Sequence, residues 1–333
     1  MYTEEDIASA IAAGILTEET ATAFRTHVAT LKRGPAVDEE YFRLITGFND
    51  IFVVIACLLL LVSLGWIGNA LASWFGAILV AAAAWTLSEF FTRRRRMALP
   101  AIVLLLAFVI GVLGAGVLLI GHTSQSLLAF IVPSGMAAVA AWLHWLRFHV
   151  PITVAAGVAA AVACIVALLI WAVPEAIHWT PALSITAGVA VFALAMRWDA
   201  TDTARQTRRS DVAFWLHLLA APLLVHPIFT SLDIFSGRTS VEQALVVIVL
   251  YVAIAILSLC VDRRALMVSA LGYVLFAFSA LLKQYGVINL SFAITALAIG
   301  SALLLLSAFW HPSRTFVLGL LPLAVQSRLA PLR

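Results

Sequence analysis

From Ile51 to Trp310 the chain is a succession of apolar runs with very short interruptions. A helix needs about 20 residues, rising 1.5 Å each, to cross the hydrocarbon core of a bilayer. Lipid admits only helices and closed barrels as spanning structures, because every backbone polar group must be satisfied internally. The runs predict ten helical spans at 51–68, 70–91, 99–121, 127–148, 152–173, 181–198, 212–235, 243–261, 265–285 and 290–310. Pro133 falls in the fourth, and Pro222 and Pro227 in the seventh. Neighbouring helices can satisfy the carbonyls these prolines release, so none of them cancels a span. With 63% of residues hydrophobic and 11% charged, the 333-residue chain lacks the polar surface of a soluble domain. The expected fold is therefore an all-α, polytopic transmembrane helical bundle.

The scarce charges are distributed by side. Counted between the ten spans, 18 of the 20 Lys and Arg residues fall on the face that also carries the N-terminus, and 2 on the other. Cytoplasmic loops hold the basic excess, which predicts both termini inside. Residues 1–50 hold nine acids against four basic residues. The positive balance of the whole chain thus lies between spans rather than on a soluble module, which excludes a nucleic-acid binder. Three segments are expected: a cytoplasmic helical hairpin with an interfacial lead-in at 1–48, a ten-helix membrane domain at 49–314, and an interfacial tail at 315–333.

Within the hairpin, Thr3 before Glu4, Glu5 and Asp6 reads as a capped helix start and Gly14 as a stop. Thr17-Glu18-Glu19 opens a second helix with Ala21, Phe24, Val28 and Leu31 on its apolar face, closed by Gly34-Pro35. Asp38 to Phe48 is expected to lie along the membrane surface. Cys57, Cys164 and Cys260 are far apart in apolar runs and read as packing residues, with no metal or disulfide spacing. Small residues spaced four apart (Ala107, Gly111 and Ala115; Gly157 and Ala161; Ala296 and Gly300) predict close helix contacts.

Two places invite a functional reading. Arg93–Arg96 is a topology anchor against anionic lipid headgroups in one reading, and a specific phosphate or nucleotide site in another. Glu89, four residues earlier, is placed for an ion pair with Arg93. In the seventh span, Asp211, Trp215, Leu218, Pro222, His226, Phe229 and Asp233 share one stripe, with His217 on the opposite face. A histidine inside a span is costly and therefore a candidate site. His226, Pro222, Trp215 and Asp233 form a candidate substrate or proton site in a helix broken by its prolines. The competing reading is a neutral His226 bonded to a released carbonyl. Asp233 and Lys283 are positioned to pair at the outer surface, and His144 and His149 are expected at the inner interface. No catalytic constellation, cofactor motif or metal-ligand set appears, and the spans carry no midplane carboxylate of the kind that energised carriers use.

The segments GFND (47–50), RRRRMALP (93–100), DVAFWLHLLAAPLLVHP (211–227) and DRRALMVSALGY (262–273) resemble a family of bacterial predicted membrane proteins described only as a domain of unknown function. The resemblance implies an inner-membrane location and supplies no activity. The residues themselves lead to a transporter-like protein for a small neutral or amphipathic substrate. The alternative is a non-catalytic scaffold that recruits a cytosolic protein through residues 1–48. Membrane lipids are the other expected partner, and no cofactor is expected.

Overall fold

The computed structural model describes residues 4–31, 48–121, 128–202, 205, 207–231, 241–284, 291–322, 326 and 329. All regular structure among them is helical. The chain divides into two compact units near residue 42.

The first unit contains α1 (Glu4–Ala12) and α2 (Glu18–Leu31). Gly14 ends α1 with φ +71°, a left-handed conformation that glycine adopts at no steric cost. Thr17 caps α2 by accepting the Thr20 backbone N–H at 3.2 Å through Oγ1. Ile7 and Ala21 are the buried apolar side chains here. The expected cap at Thr3, the Gly34-Pro35 stop and the surface stretch 38–47 lie outside the described residues.

The second unit contains α3 (Phe48–Leu71), α4 (Ser73–Ser88), a π-helical turn (Glu89–Arg94), α5 (Ala98–Gly121), α6 (Leu128–Phe148) and α7 (Ile152–Ala172). A 3-10 turn (Pro174–Trp179) then leads to α8 (Thr180–Ala200), α9 (Arg208–Ser231), α10 (Val241–Val261), α11 (Ala265–Gln284), α12 (Ser291–Ala308) and α13 (Trp310–Gly319). The helices α3–α12 coincide with the ten apolar runs of the sequence to within about one helical turn. Seven of the described helices are long and apolar enough to cross a membrane, and α12 with α13 makes an eighth if that pair, bent by 73°, is one span. The chain is thus an all-α, multi-pass membrane-type protein.

Close approach through small residues holds the first helices together. A Cβ on Gly111 of α5 would lie 3.0 Å from the backbone of Ala77 and Ala81 on α4, and one on Gly157 of α7 would lie 3.3 Å from Ala141 of α6. Among the described residues nothing lies within 4 Å of such a position on Gly300 of α12, so the close approach expected at that glycine is not seen there. The tightest approach was not anticipated: a Cβ on Gly68 of α3 would fall 2.6 Å from the Cα of Gly76 on α4. Cys57, Leu61, Ala84 and Leu104 form the apolar centre of this group.

Helix α9 is the hub of the other group. Half of its apolar stretch is buried, the largest share among the seven described helices long enough to cross a membrane, and α7, α8 and α11 all pack on it. It runs unbroken through Pro222 and Pro227, contrary to the expected break. The physical reason is visible at Pro227, which has no N–H for the carbonyl of Leu223. Ser184 of α8 supplies the missing donor, its Oγ lying 3.0 Å from the Leu223 oxygen. One turn along, Gly188 lets α9 close in, since a Cβ there would meet Leu224 at 2.8 Å.

Among the described residues, four non-glycine positions have positive φ: Arg96 (53°), His149 (54°), Arg205 (55°) and Asp262 (59°). They fall one each in the connections α4–α5, α6–α7, α8–α9 and α10–α11.

Candidate functional site

The largest fully buried side chain is a cation, Arg263, in the turn between α10 and α11. Burying an unpaired guanidinium would be prohibitive, so its partners define the site. Its Nη2 lies 2.5 Å from Oδ1 of Asp199 on α8 and also donates to the backbone and hydroxyl oxygens of Ser210 on α9, each at 3.1 Å. Its Nε approaches the other carboxylate oxygen of Asp199 at 3.4 Å. That same oxygen accepts a 2.8 Å hydrogen bond from Nε2 of His217, one helical stretch into α9 and fully buried. The His217 ring also stands edge-on to Phe192 at 5.2 Å, and its Nδ1 has no hydrogen-bond partner among the described residues. Local backbone bonds fix the arginine: its N–H donates to the Ser258 carbonyl at 3.0 Å, and the Ser258 hydroxyl to the Arg263 carbonyl at 2.6 Å.

A second carboxylate adjoins this triad. Asp262 takes Nη1 of Arg205 at 2.9 Å on one oxygen, and the indole N–H of Trp310 at 2.8 Å on the other. Nε of the buried Arg314 lies 3.6 Å from that second oxygen. Arg205 also donates to the backbone carbonyls of Val261 and Asp262 through Nη2. Burial opposes ionisation of Asp262, but Arg205, the Trp310 indole, Arg314 and Arg263 outweigh it and hold its carboxyl below the ordinary carboxylate range. Arg264 stacks over the Trp310 ring at 4.7 Å. At the entry to α9, Asp202 accepts both the backbone N–H and the hydroxyl of Thr207, at 2.8 and 2.6 Å.

Together these groups tie α8, α9, the α10–α11 turn and α13 at one end of the bundle. The bend between α12 and α13 is what carries Trp310 and Arg314 inward. Residues 315–319 of the expected tail lie within α13, which packs on α10.

The residues singled out by sequence lie elsewhere. On α9, His226 and Pro222 are exposed on the outer face and Trp215 is half-buried beside Phe214. Asp233 lies outside the described residues, as does the side chain of Lys283. The described grooves of the bundle are lined by other residues. Arg93, Arg94, Arg95 and Arg96 are all exposed. Arg93 makes the expected pair with Glu89 at 3.3 Å, and Glu89 gains an unforeseen partner on α6, Arg147, at 2.7 Å. His149 is exposed, but His144 is fully buried against Trp85, Phe108 and Phe148 rather than facing headgroups. Cys57 is buried, Cys164 and Cys260 are half-buried, and all three are free thiols.

Among the described residues no three His, Cys, Asp or Glu side chains are grouped to hold a metal ion. Comparison with family models, with curated proteins and with solved structures finds no match to this chain.

Proposed function

We propose that the chain is a ten-span carrier of a small neutral or amphipathic solute, with the Asp199–His217–Arg263 cluster as a latch on its cytoplasmic side. One observation supports the reading: in a bundle with so few charges, a fully buried arginine and a fully buried histidine from two segments converge on one half-buried carboxylate from a third. Ionisable groups in such a setting are expensive and default to a functional role. Buried ion pairs contribute little to stability over a packed apolar alternative, and their best-attested use is to select between discrete states. Opening the latch would separate α9 from α8 and from the α10–α11 turn, a motion of packed helices between two arrangements.

Topology follows from loop charge. Ten spans with both termini inside would put the latch, the Arg93–Arg96 run and the four described non-glycine positive-φ positions on the cytoplasmic face, and the bacterial inner membrane is the setting that the family resemblance implies. Reporter fusions at Arg94 and Gln125 should then appear on opposite sides of the membrane. Both on one side would overturn this span order.

The latch itself is tested through Val212, fully buried beside it. In a chain whose three native cysteines are replaced by serine, Val212→Cys should react slowly with a water-soluble maleimide added from the cytoplasmic side. Adding Asp199→Asn should speed labelling about tenfold, the population shift for about 1.4 kcal/mol lost from the closed state. The same substitution should alter solute flux in vesicles carrying the protein. Unchanged labelling, together with no flux above protein-free vesicles across neutral and amphipathic solutes, would sink the carrier reading.

A further inference from the structure

Helices α7 and α8 are consecutive and joined by a short turn, yet they touch each other little and pack instead on α9. Between them lies an apolar groove of about 400 Å³, walled by α7 from Val158 to Leu169 and by α8 from Leu183 to Leu194. We infer that this groove holds one acyl chain of an anionic phospholipid whose phosphate is bound by Arg197.

Three features select that occupant. The first is length: twelve residues of helix, with eleven rises between them, give the groove about 16 Å, which matches the half-thickness of a hydrocarbon core about 30 Å across. The second is register. Leu183, Ala187, Ala190 and Leu194 line the groove at steps of four, three and four residues, and Arg197 is the next step of the same row. Its side chain is exposed, and the nearest acid on its own helix, Asp199, is held on another face by Arg263 and His217. A phosphate at the mouth would therefore meet an uncompensated guanidinium. The third is polarity. The opposite end of the groove leads to the turn that carries exposed Glu175, which repels a phosphate, so the lipid has one orientation. The wall is almost wholly carbon, which suits an acyl chain and leaves a polar solute without partners. The inference is independent of the carrier reading: a bound lipid would fill this gap in a static protein as well.

The test uses the purified full chain, stripped of lipid and offered equal amounts of phosphatidylglycerol and phosphatidylcholine with identical acyl chains, with retention read by native mass spectrometry. The native chain should retain the anionic lipid about fivefold in preference, the effect of one basic residue at an anionic surface. Arg197→Gln should abolish the preference while leaving retention of phosphatidylcholine unchanged. Ala187→Phe, which fills the groove, should reduce both. Should that variant fail to fold, a phospholipid with a photoactivatable acyl chain replaces it, and its label should map to α7 and α8 of the native chain. A preference that survives Arg197→Gln, one that disappears only when Arg93–Arg96 are neutralised, or label that maps elsewhere would overturn the inference.

Discussion

Arg263→Ala should cost the bundle about 3–5 kcal/mol, the usual penalty for removing one partner of a buried ion pair. The loss exceeds a single contact because Asp199 would stay in place with His217 as its remaining partner, and the Ser210 oxygens would lose their donor. A fluorescence-detected thermal scan of purified protein should show a Tm well below that of the native chain. A paired replacement, Arg263→Met with Asp199→Asn, removes both charges with little change in volume, keeps an acceptor for His217 and should recover most of the loss. That recovery separates the two roles of the cluster. If it restores Tm but not the slow labelling at Val212, the ion pair sets the state of the latch rather than its stability. If Arg263→Ala melts with the native chain, the cluster is not the buried anchor described here.

The second large effect is steric. In Gly76→Leu the new Cβ would lie 2.9 Å from the Asn69 nitrogen and closer still to the Gly65 carbonyl oxygen. Both are backbone atoms within a helix and cannot rotate away, so α3 and α4 must part. Overpacking typically costs about 1–3 kcal/mol, and a rigid obstacle places this variant at or above the upper end. Gly188→Ala meets the Leu224 side chain at 2.8 Å and the Leu223 Cβ at 3.1 Å, side-chain rather than backbone atoms, and should cost less. Gly300→Ala meets nothing and serves as the neutral control. Tm values that do not follow the order Gly300→Ala, Gly188→Ala, Gly76→Leu, from highest to lowest, would contradict the packing described.

The helices were legible in the sequence because lipid imposes a length and a composition on every span. The limits of α3 to α12 follow the apolar runs of the sequence, and the caps at Gly14 and Thr17 follow from local chemistry. The candidate site was legible only in fragments. Helical spacing put His217 opposite the His226 stripe, but spacing cannot say which face is buried. Asp199 on α8 and Arg263 in the α10–α11 turn are 64 residues apart, so no local pattern joins them. Arg263 in a turn also reads as an ordinary topology anchor, and its partners, Asp199 and Ser210, come from α8 and α9, far away in the sequence. The bond from Ser184 to the Leu223 carbonyl escapes for the same reason. The prolines announce that a carbonyl is released, but only the packed neighbour decides whether a break follows. Gly68 and Gly76 were missed because they lie on two helices, whereas spacing within one helix exposed Gly111 and Gly157.

Arg205 and Asp262 meet at 2.9 Å, and both hold a backbone conformation that an L-residue adopts at a cost of roughly 1–2 kcal/mol. Glycine would relieve that strain at either position, yet glycine has no charge to offer. The backbone and the side chain therefore make opposite demands at each of these turns, and the residues present satisfy the side chain. A search for stabilising substitutions would select glycine here first, and in doing so would uncouple the α8–α9 connection from the turn after α10. In this chain the most improvable backbone positions are the ones least open to improvement.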